Sequence, residues 1–221
     1  MKKWWYIIIA VTAFFSCKKD NNISPVNFYY DYFPVQTGFW RIYEVDSIVH
    51  DENDDFTGKI DTFHYQIKEV IAEKFIDLSG DTAYRLERFI RNNPSDKWKI
   101  KDVWYFNFYP SKIEMVEENL RLIKMIFPVK ENATWDGNAS NANPEQIYEY
   151  QNTHEPYVTD NFTFDSTATV LIEDYENLIE KQLSKEVYAK NIGLIHKSVI
   201  NIDYQAEGGL EYYLNISDWS K

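Results

Sequence analysis

The chain has 221 residues with 44% apolar and 26% charged, the usage of a single globular domain rather than of a disordered one. Seven Gly and seven Pro exclude collagen-like and linker-like chains, and a single Cys excludes an internal disulfide framework and a Cys-rich zinc site. A formal charge of -12 argues against a nucleic-acid partner, because phosphate binding needs clustered Lys and Arg.

The chain opens with Met1-Lys2-Lys3, a basic start, followed by an apolar run from Trp4 to Phe15 interrupted only by Thr12. That run is too short for a helix across about 30 Å of hydrocarbon but suits the apolar core of an export signal. Ser16-Cys17 follows at once. A small residue before Cys at this place resembles a bacterial lipobox. The resemblance implies cleavage before Cys17, diacylglycerol on its sulfur and an acyl chain such as palmitate on the new amino group. Phe14 stands where Leu is commonest in lipoboxes and Phe15 where a small residue is usual. A lone Cys in an exported protein is otherwise an unpaired thiol, and several acyl chains hold a membrane far better than one. The expected organisation is a signal peptide over 1–16, a polar tether over 17–26 and one β-rich domain over 27–221. Asp20 behind Lys18 and Lys19 leaves both faces of the outer membrane open as the location.

The remainder predicts strands. Phe39 to Ile48 is rich in aromatic and β-branched residues, and Thr62 to Val70 alternates, with Phe63, Tyr65 and Ile67 on one face. Ala83 to Ile90 places Tyr84, Leu86 and Arg88 opposite Arg85, Glu87 and Phe89. Further strands are expected at 98–106, 120–127, 148–150, 162–164, 167–172, 192–202 and 210–216. Turns are expected at Ser79-Gly80-Asp81, Asn92 to Ser95, Asp136-Gly137-Asn138 and Glu207-Gly208-Gly209. Many short strands with regular turns predict an all-β fold, an antiparallel sandwich or open barrel. Residues 171–184 also fit one amphipathic helix through Leu171, Ile172, Tyr175, Leu178, Ile179 and Leu183. A turn over Asp174 to Asn177 with Ile179, Leu183 and Val187 in strand parity is the preferred alternative.

Three motifs carry a resemblance: Asp31 to Tyr43, with its YFP-x-x-x-G-x-W core; Phe127-Pro128-Val129 with Thr134 to Asn138; and Glu186 to Ile195, with its E-x-YA-x-x-IGLI pattern. Together they resemble an uncharacterised family of Bacteroidota envelope lipoproteins, which implies a mostly β fold and an envelope location but no reaction. Read from the residues themselves, Pro34 and Gly38 shape a turn before the first strand, Gly137 suits a turn with positive φ, and Gly193 marks a bulge or close backbone approach. Trp40 and Trp135 are expected to be buried framework residues.

Local chemistry is sparse. His50, His64, His154 and His196 are scattered, and no HExxH, GxSxG, phosphate loop or Cys-His pattern occurs. Asp51-Glu52-Asn53-Asp54-Asp55 has the odd-position spacing of a calcium loop, but Phe56 and Thr62 stand where the tight-turn Gly and bidentate Glu are needed, so a solvated hairpin loop is expected. Asp46-Ser47-Ile48, Asp81-Thr82-Ala83 and Asp165-Ser166-Thr167 resemble the Asp-Ser/Thr-apolar acceptor of Bacteroidota O-glycosylation, implying Ser47, Thr82 and Ser166 as acceptors. No cofactor and no metal are expected. The expected function is a lipid-anchored binding or scaffold module whose partner is the membrane and an envelope protein or glycan. An envelope hydrolase with a dispersed site is the alternative.

Overall fold

The computed structural model describes residues 25–51, 59–206 and 208–221. Cys17 and residues 52–55 of the expected acidic hairpin loop lie outside them. The chain forms twelve strands: β1 (Trp40–Asp51), β2 (Lys59–Ile76), β3 (Thr82–Arg91), β4 (Lys99–Tyr109), β5 (Lys112–Glu117) and β6 (Leu120–Ile126). Then come β7 (Thr134–Asp136), β8 (Ile147–Val158), β9 (Thr163–Glu176), β10 (Glu180–Ala189), β11 (Gly193–Asp203) and β12 (Gly208–Trp219). One antiparallel sheet joins all twelve in the order β6-β5-β4-β3-β2-β1-β12-β11-β10-β9-β8-β7. The first and last strands are neighbours, so each half of the chain is a meander running outward from the β1–β12 ladder. Of the two architectures expected, the barrel is the one formed.

The free edges β6 and β7 meet to leave a nearly closed barrel. The Ile123 amide donates to the Gly137 carbonyl at 2.9 Å, and the Trp135 indole N–H donates to the Ile123 carbonyl at 2.8 Å. The Tyr150 hydroxyl donates to the Ile126 carbonyl at 2.8 Å and accepts from the Ile126 amide at 3.1 Å. Side chains thus satisfy edge groups that would otherwise invite another strand.

The alternative helix over 171–184 does not form. Residues 171–176 end β9, and β10 starts at Glu180. The Asn177 carboxamide oxygen accepts the amides of Ile179 and Glu180 at 2.6 and 2.9 Å, closing a tight turn that interrupts the helical spacing. Leu178, at the middle of that apolar stripe, is fully exposed.

Odd-numbered strands start, and even-numbered strands end, at the end of the barrel where the chain enters; this end is the base. Residues 28–39 plug it. Tyr30–Tyr32 makes one 3₁₀ turn, and Tyr32 is wholly buried with its hydroxyl 2.9 Å from both Ser166 Oγ and His154 Nδ1. Asn191 donates its amide to the Asp31 carbonyl at 2.6 Å, and the Phe33 ring meets Phe106 edge-on at 5.1 Å. Gly38 (φ +88°) makes the turn into β1, as Pro34 and Gly38 predicted.

Gly193 combines positive φ (+88°) with close approach: a Cβ there would lie 2.3 Å from Arg41 Nη1. Gly137 differs from expectation. Its φ is not positive; a Cβ would lie 2.3 Å from the Tyr148 ring, so space rather than backbone conformation requires glycine. Trp135 is buried at 9% exposure, but Trp40 is only half-buried, with the Lys68 ammonium 5.3 Å from its ring centre. Trp40 stands at the first position of β1, where one side of the ring faces water.

Candidate binding site

Charged side chains stand inside this barrel. Arg41 pairs in register with Glu69, Glu69 with Arg88, and Arg88 with Asp102, so the four lie on one face across β1 to β4. Arg41 Nη2 is 3.2 Å from Glu69 Oε2, Arg88 Nε is 3.2 Å from Glu69 Oε1, and Arg88 Nη1 reaches both Asp102 oxygens at 3.1 Å. Arg41, Glu69 and Arg88 are all buried. Alternating charge on directly opposed cross-strand neighbours makes each pair favourable.

A second cluster faces the ladder. Lys124 of β6 reaches Glu186 of β10 at 2.6 Å and Glu117 of β5 at 3.1 Å. Lys197 of β11 adds a contact to Glu186 at 3.0 Å, and the Tyr188 hydroxyl donates to its other oxygen at 2.6 Å. Burial by itself would raise the Glu186 pKa. The Lys124 and Lys197 ammoniums and the bonds from Lys124 and Tyr188 outweigh it and hold the carboxyl well below the usual range. Burial would likewise lower Lys124, and Glu117 and Glu186 reverse this and raise it. Both partners are therefore charged at neutral pH.

A cavity of about 270 Å³ lies between the two clusters. Phe33 and Leu194 floor it at the plugged base, Leu86, Met115 and Leu214 add apolar wall, and Lys101 and Glu118 stand at its rim toward the other end. The floor residue Phe33 is buried, whereas Lys101 and Glu118 are exposed, so the cup opens away from the base. Tyr65, Trp104 and Tyr212 form its aromatic wall, with the Arg88 guanidinium 3.7 Å from the Trp104 ring centre. Burial raises the Tyr65 and Tyr212 hydroxyl pKa values, and neither hydroxyl has a hydrogen-bond partner among the described residues. Phe63 and Leu210, two residues further from the base on the same faces, extend this wall above the rim and are 53% and 38% exposed.

The residues singled out from sequence lie elsewhere. Ser47, Thr82 and Ser166 sit on β1, β3 and β9 and are not brought together. Each is half-buried, and Ser166 Oγ is bonded to the Tyr32 hydroxyl. The four His residues remain dispersed: His50 contacts Glu211, His64 contacts Asp46, His154 contacts Tyr32 and His196 contacts Asn215. Among the described residues no group of three or more His, Cys, Asp or Glu is placed to hold a metal ion.

The fold and site define a nearly closed, twelve-stranded antiparallel barrel, plugged at one end and holding an ionised cup. No protein-family model matches the sequence, and no curated protein matches it. Among solved structures it is similar to a candidate lipoprotein from Parabacteroides distasonis, with 12% identity and a TM-score of 0.44 over 86% of this chain and 98% of that one. It is also similar to a candidate exported protein with a YmcC-like fold from Bacteroides fragilis, with 14% identity and a TM-score of 0.44 over 89% of this chain and all of that one.

Proposed function

We propose that the chain is an envelope lipoprotein, anchored through acyl chains on Cys17, and that its barrel is a binding module that holds a small ligand in the interior cup. The observation that carries the binding reading is the ionised cavity itself. Burying Arg, Lys and Glu costs several kcal/mol per ion, and a core of apolar residues of similar volume is commonly as stable or more so. A barrel that only had to stand up would fill this space with Val, Ile and Leu. Convergent polar groups beside an aromatic wall in a concave space are the usual makings of a ligand site.

The same chemistry favours binding over hydrolysis. Glu69 and Glu186 are each tied to two cations, and Glu186 is held ionised, which removes it as a proton donor near neutral pH. Among the described residues that line the cavity there is no Ser, Thr, Cys or His to serve as nucleophile or base. The described chain enters at the plugged base, opposite the mouth of the cup.

Two experiments test this. Cys17→Ser should yield an uncut or soluble precursor on fractionation; a variant processed and membrane-bound like the parent rejects the anchor. Native mass spectrometry of the full chain, purified in detergent from its own membranes, should show a retained small molecule. A chain that retains none, and whose partners bind at the outer faces of the strands, rejects the cup.

A further inference from the structure

A second concavity lies on the outside of the barrel, over β8, β9 and β10. Val170 pairs in register with Glu186 and Ala168 with Tyr188, both cup residues, so Thr167 and Thr169 beside them on β9 face outward. The two threonines are buried all the same, at 2% and 8% exposure, with β8 leaving its ladder beside them. Gln151 pairs with Thr169 and Glu155 with Thr167, so Asn152, Thr153 and His154 stand opposite Ala168 alone. Asn152 and His154 hold positive φ, +49° and +65°, a costly backbone for non-glycine residues and one that clusters at functional sites. This arch is fixed from both sides. Glu131 accepts the Asn152 amide at 3.1 Å and the Thr153 amide and hydroxyl at 2.7 and 2.8 Å. The His154 and Tyr29 ring centres are 4.1 Å apart, and His154 Nδ1 is 2.9 Å from the Tyr32 hydroxyl. The result is a preorganised groove of about 690 Å³, inside the range of about 300–1,000 Å³ common for ligand pockets.

The unmet groups of this groove are both donors and acceptors. Thr169 Oγ1, on the floor, has no protein partner and is open to the groove. The Lys185 ammonium, the Glu155 carboxylate, the Asn152 carboxamide and the Tyr157 hydroxyl line the walls and also lack hydrogen-bond partners among the described residues. Pro156 and the Tyr157 ring, which packs on His196 with ring centres 5.9 Å apart, add an apolar surface. Charge does not favour an ion. The charged residues of the lining are Glu131, Glu155 and Lys185, so an anion meets two carboxylates for one ammonium, and among the described residues no acid cluster is placed to hold a metal. An extended peptide finds no ladder to join, because Glu131 already takes the amides of Asn152 and Thr153. A sugar matches what is left: each hydroxyl both donates and accepts, and the C–H face of its ring can rest on an aromatic side chain.

We propose that this outer groove binds an uncharged sugar residue of a glycan, with its hydroxyls on Thr169, Lys185 and Glu155 and one ring face on Tyr157. The groove lies on the opposite face of β9 and β10 from the cup, so the inference is independent of what the cup holds. Titration of the full-length chain, in a detergent without a sugar headgroup and followed by saturation-transfer NMR, would use the methyl glycosides of glucose, galactose, mannose, N-acetylglucosamine and fucose, with the methyl glycoside of glucuronic acid as the charged counterpart. At least one neutral glycoside should bind, and the acid should bind no more tightly than the glucoside. Thr169→Val keeps the side-chain shape but removes the hydroxyl, and Glu155→Ala changes an exposed position. Each should weaken the bound sugar by several-fold to about tenfold. Tyr212→Phe, inside the cup, should leave that affinity unchanged.

Binding of none of the neutral glycosides overturns the inference, and so does tighter binding of the acid than of the glucoside. Weakening by Tyr212→Phe with Thr169→Val and Glu155→Ala unchanged moves the sugar into the cup and overturns the outer site while leaving the cup reading in place. Unchanged affinity in all three variants overturns the assigned contacts.

Discussion

Lys124 interrupts Leu122 to Phe127, an otherwise apolar run, and its ammonium reaches across the barrel to Glu186. Removing one partner of a buried pair leaves the other charge uncompensated, so Lys124→Met should cost about 3–5 kcal/mol in chemical denaturation. Lys124→Met combined with Glu186→Gln should recover part of that loss. The acid limit follows from the depressed Glu186 pKa. Its contribution is present above the ordinary Glu value of about 4.5 and is lost as pH falls below that toward the folded value. Melting temperature should therefore drop steeply below about pH 4.5, and Glu186→Gln should flatten that drop. An equally steep drop in the variant would show that other carboxylates govern it.

The tryptophans separate in the same assay. Trp135→Ala removes a buried ring and the bond to the Ile123 carbonyl and should cost about 3–5 kcal/mol. Trp40→Ala, at a half-buried position, should cost less than half as much. Sequence pattern treats the two alike because both follow turns and precede strand-like residues. What it lacks is the neighbour: Trp135 meets Tyr148 and Tyr150 of the adjoining strand β8, whereas Trp40 meets a lysine ammonium. The cup residues were legible only in part. Arg88 shares strand parity with Leu86, and Glu186 opens the motif that contains Tyr188. Nothing local in either segment says that the two come to line one cavity, since β3 and β10 are far apart in the chain.

Among elements, most strands are legible because one face is apolar and the other wet. β2, β3 and β12 extend the predicted segments at both ends, and β4 and β11 start one residue later than predicted and run past the predicted end. β9 reads as two pieces because Asp165-Ser166 breaks its pattern, yet Ser166 is spent inside the fold on Tyr32. β5 escapes detection because Glu114 falls between Ile113 and Met115, where ion pairs to Lys112 and Arg121 make a charge acceptable. The helical spacing at 171–184 is an accident of two strands joined by a tight turn. The β6–β7 seam is the element-scale feature most open to test. Tyr150→Phe removes one hydroxyl that serves both the amide and the carbonyl of Ile126 and should cost about 1–3 kcal/mol. Amide exchange should quicken first at Ile123 and Ile126, which lie along that edge. Uniform quickening around the barrel would mean that the seam is no weaker than the ladders.

At the scale of the whole molecule, the β1–β12 ladder joins residues separated by most of the chain. Loop-closure entropy makes such pairing slow, so refolding followed by Trp fluorescence should lie in the millisecond-to-second range or beyond. Circular dichroism of the full chain should be dominated by β signal.

The ladder also bears on how the protein is made. A chain delivered N-terminus first exposes β1 long before β12 exists. β2 can shield one side of it early, but the other side, with backbone groups from Arg41 to His50 awaiting Gly209 to Trp219, stays a bare template until the final residues arrive. Truncation before Gly208 should accordingly give aggregates rather than a smaller barrel, and a nascent chain of this design depends on something else to cover that edge while it waits for its own C-terminus.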